Sequence, residues 1–367
     1  MTVDLSADSE ALGRWLTERV IGARSVRIDG FTAPKSGYSA ETLMVDAVVT
    51  AADGERAERF VLRRETADPA IYPLQAPGLD VEVAIQYRAM HAIATHSTVP
   101  IAPLIGYESD PSILGAPFFV MGFVPGVIPP DTPRFSKVGF VVDEASPEQR
   151  RRMVGNALTT MAAIHAIDWR QAGLGWLDRS QDGRPRTAVQ IDLYESCCHT
   201  WLGGREHPVL AAAFAWLRAN DPGDDRVGIT WGDARLGNMI WQDYEVVAVV
   251  DWEACALSPT EADLGWWLMY DRMSFDHLGV PRLAGYPSRD EMIEMYEGAS
   301  GREVRNPHYW EVFAATRLCA IFIRIGDRLV ETGLVPPEIN KPVVNSATDA
   351  LTALLGIETP ATSSGVA

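Results

Sequence analysis

The sequence predicts an α+β protein in which a small antiparallel sheet comes first and a larger, mainly helical part follows. Between residues 26 and 64, apolar residues alternate in the order strand, loop, strand, turn and strand, with Asp53-Gly54 as a hairpin turn signal. From residue 146 onward, apolar residues recur at helical spacing over several long segments. A hairpin pattern between residues 231 and 253 interrupts this helical part.

The composition is that of an ordinary globular chain with an acidic balance. Of 367 residues, 47% are apolar and 22% are charged, and 32 basic against 49 acidic residues give a formal net charge of −17. This charge argues against nucleic acid and against an anionic membrane surface as partners. It favours a cationic substrate, although an acidic surface also serves simply to keep a protein in solution, and both interpretations stay open.

The sequence also predicts a compartment. The four cysteines, two of them adjacent at positions 197 and 198, have neither a metal-binding spacing nor a usual disulfide pattern. The first residues lack the basic and apolar regions of a signal peptide, and no apolar run is long enough to span a membrane. We therefore expect a cytoplasmic protein without a membrane partner, and the sequence leaves its oligomeric state open.

The predicted elements fall into two lobes. The first lobe contains two helices, at residues 12–20 and 80–94, and five strands, at residues 26–31, 42–51, 57–64, 101–108 and 117–124. A Pro-rich run at residues 125–133 predicts a linker. We place the first lobe at residues 1–122, the second lobe at residues 123–356 and a disordered tail at residues 357–367.

The second lobe is predicted to be mainly helical. The stretch Ser146-Pro147-Glu148-Gln149 has the capping residue, the proline and the glutamine that begin a helix. Further helices are predicted at residues 191–202, 208–219, 258–273, 288–299, 306–332 and 337–355. His165 lies at the end of the helix that begins at residue 147, beside an apolar stripe, and we expect it to be a hydrogen-bonded core residue.

Three oxygen-bearing side chains are predicted to meet at the hairpin. Asp233 and Asn238 precede its first strand, and Asp251 follows its second strand and is therefore expected to return close to Asn238. Mg²⁺ takes few oxygen ligands from a protein and leaves its other positions to water and phosphate, which suits Asn238 and Asp251. Phosphoryl transfer also needs a carboxylate that orients the attacking hydroxyl and accepts its proton, which suits Asp233. Each residue alone is also typical of an ordinary turn, and only their combined spacing favours this chemistry.

This motif resembles the aminoglycoside phosphotransferase family, whose members are small-molecule kinases with a protein-kinase-like, bilobal fold. The resemblance rests on Gly-Asp-x-x-x-x-Asn at residues 232–238, the hairpin, and Asp-Trp-Glu at residues 251–253. Within the family, the chain is most similar to a branch that occurs in actinobacteria and is also found fused to acyl-CoA dehydrogenases. Further matching stretches lie at residues 61–64, 118–126, 158–169 and 263–265.

The resemblance implies an ATP site in the first lobe. The loop that contains Gly37 would cover the phosphates with its backbone N–H groups. Val61 and Arg63 share one face of their strand because strand side chains alternate. The resemblance places Val61 against the adenine and Arg63 toward the phosphates, where the family usually has lysine. Backbone groups around Met121 and Phe123 would bind the adenine edge.

The sequence departs from the family pattern at three positions. Arg63 replaces the usual lysine, Gln86 replaces the acidic partner of that lysine, and Trp231 replaces the histidine before Gly-Asp. Two alternatives stay open: Glu82, one helical turn before Gln86 and on the same face, substitutes as the acidic partner, or Arg63 has no such partner. Trp231 retains the packing of the usual histidine and one N–H donor. The resemblance also implies that Asp263 braces the catalytic loop.

The resemblance therefore implies an ATP- and Mg²⁺-dependent phosphotransferase that acts on a hydroxyl group of a small molecule. The acceptor is not identified by the sequence, because an aminoglycoside-like compound and a hydroxylated acyl or other lipid-like metabolite both fit. Tyr270, Arg272 and Phe275 are candidates for its pocket. The three departures support an alternative of a different class, a catalytically silent nucleotide-binding or scaffold protein on the same fold. The residues assigned to the chemistry are all present, which favours the enzyme.

Overall fold

A computed structural model describes residues 6–33, 40–67, 70–180, 183–223, 226–338, 340 and 342–358 of the chain. Its strands are, in chain order, β1 (Ala23–Thr32), β2 (Glu41–Ala51), β3 (Gly54–Arg64), β4 (Leu104–Glu108), β5 (Phe118–Gly122), β6 (Val227–Thr230), β7 (Met239–Gln242), β8 (Glu245–Val249) and β9 (Ala256–Pro259). Its helices are α1 (Ser6–Thr17), α2 (Glu82–His96), α3 (Phe140–Asp143), α4 (Pro147–His165), α5 (Arg186–Leu202), α6 (Pro208–Ala219), α7 (Glu261–Ser274), α8 (Arg289–Ser300), α9 (Pro307–Glu331) and α10 (Ser346–Leu355). None of the helices in these ranges has both the length and the apolar character that a membrane crossing requires.

The first five strands form one antiparallel sheet in the order β1-β2-β3-β5-β4. Apolar side chains alternate between its two faces, as the strand geometry demands. One face packs on α1 in a small core that includes Leu16, Phe60 and Leu62. The other face, which includes Val61, joins α2 and the core of the second lobe. Alternation along β3 therefore also turns Arg63 toward the second lobe.

Two of the differences from the sequence prediction concern β4 and β9. β4 begins at Leu104, three residues later than predicted, because Pro103 has no N–H to donate to a strand ladder. A helix was expected from residue 258, but Ala256–Pro259 instead forms β9 and pairs with β6 in an antiparallel sheet of two strands. The helix α7 therefore begins only at Glu261.

Capping residues decide where two helices of the second lobe begin. Ser146 and Gln149 form the reciprocal capping box that the sequence predicts, with bonds of 2.7 and 3.2 Å. The last helix begins at Ser346, later than predicted, because Asn345 caps it by accepting two backbone N–H groups at 3.0 Å. The spacing of apolar residues alone does not indicate that α10 begins at Ser346.

The linker between the lobes runs beside the hairpin β7–β8. Val127 and Trp241 exchange two backbone hydrogen bonds, each of 2.9 Å. A Cβ on Gly126 would lie 2.7 Å from the Trp241 backbone oxygen, so this close approach requires glycine. The predicted α+β class, with an antiparallel-sheet lobe and a mainly helical lobe, is confirmed. Because β5 ends at Gly122, we keep 1–122 and 123–356 as the proposed lobes.

Two of the sequence assignments fall outside the ranges that the structure describes. These are the predicted phosphate-covering residue Gly37 and the tail from residue 359 onward. Residues 357 and 358, which begin the predicted tail, follow the end of α10. The phosphate-covering role of Gly37 and the disorder of the tail therefore stay predictions.

The packing of α7 against α9 builds the centre of the second lobe. Gly265 of α7 lies against Trp310 of α9, and a Cβ on Gly265 would be 2.4 Å from the Trp310 backbone. The missing side chain lets the two helices come into direct backbone contact. This contact places side chains of both helices, among them Asp263 and Arg317, beneath the hairpin region.

Gly265→Ala is expected to lower the free energy of unfolding by about 1–3 kcal/mol, because the added methyl group would overlap the Trp310 backbone. Gly155→Ala is the matched control, since Gly155 also lies inside a helix, α4, and has no atom within 4 Å of the Cβ position. This control should raise stability by about 1 kcal/mol, the intrinsic preference of a helix for alanine. Urea unfolding measures both changes, and equal stability of the two variants would contradict the close helix contact.

Candidate active site

One buried carboxylate holds the loop between β6 and β7, which is the candidate catalytic loop. Asp263, on α7, accepts the backbone N–H of Trp231 at 2.6 Å and that of Gly232 at 2.8 Å. The imidazole of His165 lies 3.0 Å from the same carboxylate and 2.7 Å from the hydroxyl of Tyr296. His165 is thus a hydrogen-bonded core residue and Asp263 braces the loop, in agreement with both expectations.

The turn at Gly232 requires glycine, and a buried arginine holds it in addition to Asp263. Its φ is +92°, and a Cβ there would lie 2.2 Å from the backbone oxygen of Ala254. The carbonyl oxygen of Gly232 accepts a hydrogen bond of 2.9 Å from the guanidinium of Arg317, on α9. Arg317 is buried, donates to the hydroxyl of Tyr194 at 3.0 Å and lies 4.7 Å from the ring centre of Trp266. Both the N–H and the carbonyl group of this turn are therefore fixed by buried side chains.

The carboxylate of Asp233 is at the centre of the candidate site and only 5% of the residue is exposed. It accepts hydrogen bonds from the indole of Trp266 at 2.8 Å and from the amide of Asn238 at 2.7 Å. The Nε of Arg235 donates to both of its oxygens, at 3.1 and 3.2 Å. A carboxylate offers about four lone-pair positions, and these four contacts, two to each oxygen, occupy them, with the single Arg235 N–H shared between both oxygens. The carboxylate is thus fixed in direction, and a hydroxyl group that donates to it would take the place of one of the two shared Arg235 contacts.

The hairpin β7–β8 returns the chain to the catalytic loop. The backbone oxygen of Asn238 accepts the N–H of Val250 at 3.0 Å. The indole of Trp231 donates to the backbone oxygens of Val250 at 2.9 Å and of Asp251 at 3.1 Å. Asp251 itself has a left-handed backbone, with φ of +58°, and 34% of its side chain is exposed. The structure therefore brings the end of the hairpin, with Asp251, beside the loop that carries Asn238.

Arg63 connects the sheet lobe to the end of the hairpin. Its guanidinium lies 3.4 Å from the carboxylate of Asp251 and 3.6 Å from that of Glu253. Glu82, the candidate acidic partner from the sequence, is buried and accepts a hydrogen bond of 3.0 Å from Gln86. Burial raises the pKa of the Glu82 carboxyl group, and the positive charge of Arg63 opposes that rise. Glu82 is therefore a nearby negative group, while Asp251 and Glu253 are at ion-pair distance.

The residues expected to bind adenine lie where the sheet faces the second lobe. Val61 on β3 is the register partner of Met121 on β5, and both are buried on this face. Phe123 follows β5, is 36% exposed, and has the guanidinium of Arg59 over its ring at 5.1 Å. Its backbone N–H donates to the backbone oxygen of Arg59 at 3.0 Å. Val61, Arg63 and Met121 thus share one face, and Phe123 lies at its edge.

Aromatic side chains adjoin the other flank of the catalytic loop. A cavity of about 20 Å³ is lined by Phe135, Arg235, Leu236, Trp267, Tyr270, Asp271 and Tyr286. Of the three side chains expected as candidates for the acceptor pocket, Tyr270 lies here. Arg272 instead pairs with Glu311 at 3.1 Å, and Phe275 is completely buried. This flank of the candidate catalytic loop is therefore mainly aromatic and tightly packed.

Tyr72, in the segment between β3 and α2, lies near the candidate site. Burial raises the pKa of the Tyr72 hydroxyl well above its usual value, and the carboxylates of Asp233 and Glu253 raise it further. Both carboxylates are therefore close to this hydroxyl. The same segment is held to the second lobe by a hydrogen bond of 2.8 Å from Gln190 to Gln75.

Sequence reasoning missed three residues that fix the catalytic loop. Arg235 is only two residues after Asp233, so the spacing Asp-x-Arg was an available signal. Trp266 bonds to Asp233 from 33 positions away, and Arg317 bonds to Gly232 from 85 positions away. No local pattern connects residues at such distances, and only the packing of α7 and α9 brings them together.

The two lobes, the braced loop and the hairpin define a kinase-like phosphotransferase fold. The chain belongs to the phosphotransferase enzyme family, whose sequence model matches residues 31–297. The family expected from the loop and hairpin motif is thus confirmed.

Similar proteins include a longer curated relative and solved structures of about the same length. The probable acyl-CoA dehydrogenase IBR3 of Arabidopsis thaliana is 24% identical over 347 residues, which are 88% of this chain but only 39% of that protein. A protein assigned as an aminoglycoside phosphotransferase from Ralstonia eutropha is 23% identical, with a TM-score of 0.66 over 94% of both chains. The macrolide 2′-phosphotransferase of Brachybacterium faecium is 17% identical, with a TM-score of 0.53 over 95% of this chain and 99% of that one. The two structures share the fold of this chain, and the chain spans about two fifths of the curated relative.

Trp231→Ala is expected to destabilise the protein by about 3–5 kcal/mol, because the side chain is completely buried and packs against Trp252 at 6.1 Å between ring centres. Trp231→His restores the residue that is usual in the family and should retain the fold and one N–H donor. Thermal and urea unfolding measure both effects. Unchanged stability of Trp231→Ala would show that the indole does not brace the loop.

Proposed function

We propose that this protein is an ATP- and Mg²⁺-dependent kinase that transfers the γ-phosphate of ATP to a hydroxyl group of a small molecule. The observation that supports it most is the carboxylate of Asp233, which three donors hold in one direction beside Asn238 and the end of the hairpin. A fixed direction suits a group that receives a proton from one particular hydroxyl. Membership of the phosphotransferase enzyme family supports phosphoryl transfer in general.

Asn238 and Asp251 are the proposed Mg²⁺ ligands. The amide nitrogen of Asn238 is occupied by Asp233, whereas its amide oxygen accepts no hydrogen bond from the described residues and is available to a cation. The carboxylate of Asp251 is partly exposed at the end of the hairpin. Within the described ranges no three His, Cys, Asp or Glu side chains are grouped to hold a metal, and a pair of oxygens agrees with the few protein ligands that Mg²⁺ takes beside phosphate. When bound, Mg²⁺ would neutralise charge on the β- and γ-phosphates.

The nucleotide is proposed to bind between the lobes. Val61 and Met121 would contact the adenine from the buried face of the sheet. Because the backbone N–H of Phe123 is used within the sheet, its carbonyl oxygen is the proposed partner of the adenine edge. Arg63 would bind phosphate oxygens, since its planar guanidinium presents paired N–H donors. The loop that contains Gly37 is proposed to cover the phosphates.

In the proposed reaction the acceptor hydroxyl donates a hydrogen bond to Asp233, and its oxygen attacks the γ-phosphorus of ATP. A new P–O bond forms while the bond between the γ-phosphorus and the bridging oxygen breaks. That oxygen leaves with the electron pair as part of ADP, and the hydroxyl proton passes to Asp233. Trp266, Asn238 and Arg235 keep the carboxylate directed at the hydroxyl throughout.

A hydroxylated acyl or other lipid-like metabolite is the proposed acceptor. The curated relative is named as a probable acyl-CoA dehydrogenase, of which this chain matches only a part. The cavity beside Tyr270 is lined mainly by aromatic and apolar side chains, which suits an apolar acceptor. An aminoglycoside-like acceptor is the second candidate, since one solved structure with the same fold is assigned as an aminoglycoside phosphotransferase.

The proposed compartment is the cytoplasm. All four cysteines are free, and three of them are buried. Burial raises the pKa of the Cys198 thiol to about 12, so this group stays protonated and unreactive at neutral pH. Free, unreactive thiols are typical of proteins in a reducing compartment.

Mg-ATP is expected to raise the melting temperature of the wild-type protein, because a ligand that binds only the folded state stabilises that state. Asp251→Asn should lose most of this shift, since asparagine tolerates the left-handed backbone at φ +58° but lacks the charge that attracts the metal. Calorimetric titration with and without EDTA checks the binding directly. An equal shift of the melting temperature in both proteins would show that Asp251 does not bind the metal. A complete lack of nucleotide binding would contradict both the kinase and the silent nucleotide-binding protein.

Asp233→Asn should leave Mg-ATP binding nearly intact and lower acceptor-dependent ADP release by about 10²–10⁴-fold, the usual contribution of a positioned general base. Asp243→Asn is the matched control, because Asp243 is exposed in the turn of the same hairpin and should have no effect. The measurement is ADP release with a library of hydroxylated acyl compounds and aminoglycosides. Equal turnover in Asp233→Asn and wild type would refute the assigned role. Tight ATP binding without turnover on any acceptor would favour the silent nucleotide-binding protein.

A further inference from the structure

A half-buried arginine adjoins the candidate site and has no acidic partner there. Arg134 lies in the segment that follows the linker between the lobes, and its guanidinium is 4.6 Å from the ring centre of Tyr270. The guanidinium of Arg235 is 5.4 Å from the same ring centre, so one aromatic ring contacts two cations. Among the residues that the structure describes, no carboxylate lies within 4 Å of the Arg134 guanidinium, and none accepts a hydrogen bond from it.

The carboxylates of this region are already engaged. Arg235 forms ion pairs with Asp131 and, at 3.1 Å, with Asp233. The other carboxylate that lines this cavity, Asp271, pairs with Arg282 at 2.7 Å. A cationic acceptor would therefore meet two guanidinium groups and find the carboxylates of Asp131, Asp233 and Asp271 already paired. An anionic acceptor would instead find the five N–H donors of Arg134 available.

Arg134 is also close to the reacting group. The pKa of the Tyr270 hydroxyl is raised by burial, the charges of Arg235 and Arg134 oppose this rise, and Asp233 adds to it. The distances agree with this: the Tyr270 ring centre lies 4.6 Å from the Arg134 guanidinium and 5.4 Å from that of Arg235, and Arg235 donates to Asp233 at 3.1 Å, so Tyr270 and Arg235 connect Arg134 to Asp233. A small molecule whose own hydroxyl meets Asp233 would have Arg134 within reach of another of its groups.

We propose that Arg134 binds an anionic group of the acceptor, a carboxylate or a phosphate, so that the substrate is a hydroxylated anion and not a cationic, aminoglycoside-like compound. This inference rests on the proposed function, since it identifies the class of molecule whose hydroxyl meets Asp233. A planar guanidinium binds either group through two parallel N–H donors. A hydroxylated fatty acid offers a carboxylate, and its coenzyme A thioester offers phosphates in its place.

The kinetic test compares three acceptors with the same chain: β-hydroxyoctanoate, its coenzyme A thioester, and the uncharged octanediol. Arg134→Gln should raise the KM of the anionic acceptor about 10–100-fold, the effect of losing a hydrogen bond to a charged group, with kcat and the KM of ATP nearly unchanged. The KM of octanediol should not change. The acid and the thioester distinguish the carboxylate from the phosphate as the group that Arg134 binds.

Two further variants control this comparison. Arg24→Gln removes the same charge from an exposed position on β1 and should leave every KM at the wild-type value. Arg134→Lys keeps the charge but not the paired donors, and its KM should lie between those of wild type and Arg134→Gln. An equal rise in KM for octanediol and for the anions, or no rise for any acceptor, would overturn the proposal.

A binding measurement separates this proposal from the proposed function. Octanoate and octanoyl coenzyme A carry no hydroxyl group on their chain, and octanol carries one but no anionic group. Their Kd values are measured by calorimetry with saturating Mg-ADP, which offers no γ-phosphate for transfer and keeps the coenzyme out of the nucleotide site. Wild type should bind one of the anions at least 10-fold more tightly than octanol, and Arg134→Gln should lose that preference. If no acceptor is turned over but this preference is present, the reaction is wrong and the anion site stands. If wild type lacks the preference, the anion site is wrong whatever the turnover.

Discussion

The candidate site depends on the buried carboxylate of Asp263. The residue is completely inaccessible, and an isolated charge in such a place would cost several kcal/mol. Two backbone N–H groups of the catalytic loop and the imidazole of His165 surround it, so that its oxygens are hydrogen-bonded. The dependence is mutual, because without this carboxylate the N–H groups of Trp231 and Gly232 would be buried without an acceptor. The loop therefore has one favourable backbone arrangement, and that arrangement aims Asp233.

This brace explains how tryptophan can occupy the position before Gly-Asp, where the family usually has histidine. The bonds to Asp263 come from the backbone, so they do not depend on the side chain at residue 231. The indole is therefore free to make a different contact. Its N–H donates to the backbone oxygens of Val250 and Asp251 and so connects the catalytic loop to the end of the hairpin. The departure from the family pattern thus changes the support of the loop and leaves the proposed chemical groups in place.

The sequence predicted what is local and missed what tertiary packing creates. The hairpin, the capping box at Ser146 and the shared face of Val61 and Arg63 follow from turn residues and from alternation over a few positions. The partners of Arg63 do not, because Asp251 and Glu253 come from the other lobe, and the sequence offered only Glu82, on a neighbouring helix. The hydrogen bonds from Trp266 of α7 and Arg317 of α9 to the catalytic loop were missed for the same reason. The fold class and the candidate chemical groups could therefore be predicted from the sequence, whereas the residues that orient those groups could not.

The net charge of the chain does not decide which charges a ligand meets in the candidate site. A value of −17 suggests attraction of cations, yet the groups nearest the proposed phosphate and acceptor positions include Arg63, Arg134 and Arg235. At physiological ionic strength, charges separated by more than about 8 Å of solvent are largely screened. The many exposed acidic residues therefore act on solubility, while a few guanidinium groups in a partly buried cleft act on the ligand at close range and in a lower dielectric. Arg63 and Arg235 are each paired with two carboxylates, whereas Arg134 has none within ion-pair distance among the described residues. The local arrangement of charge, not the total, is therefore what supports the proposed anionic acceptor beside Arg134.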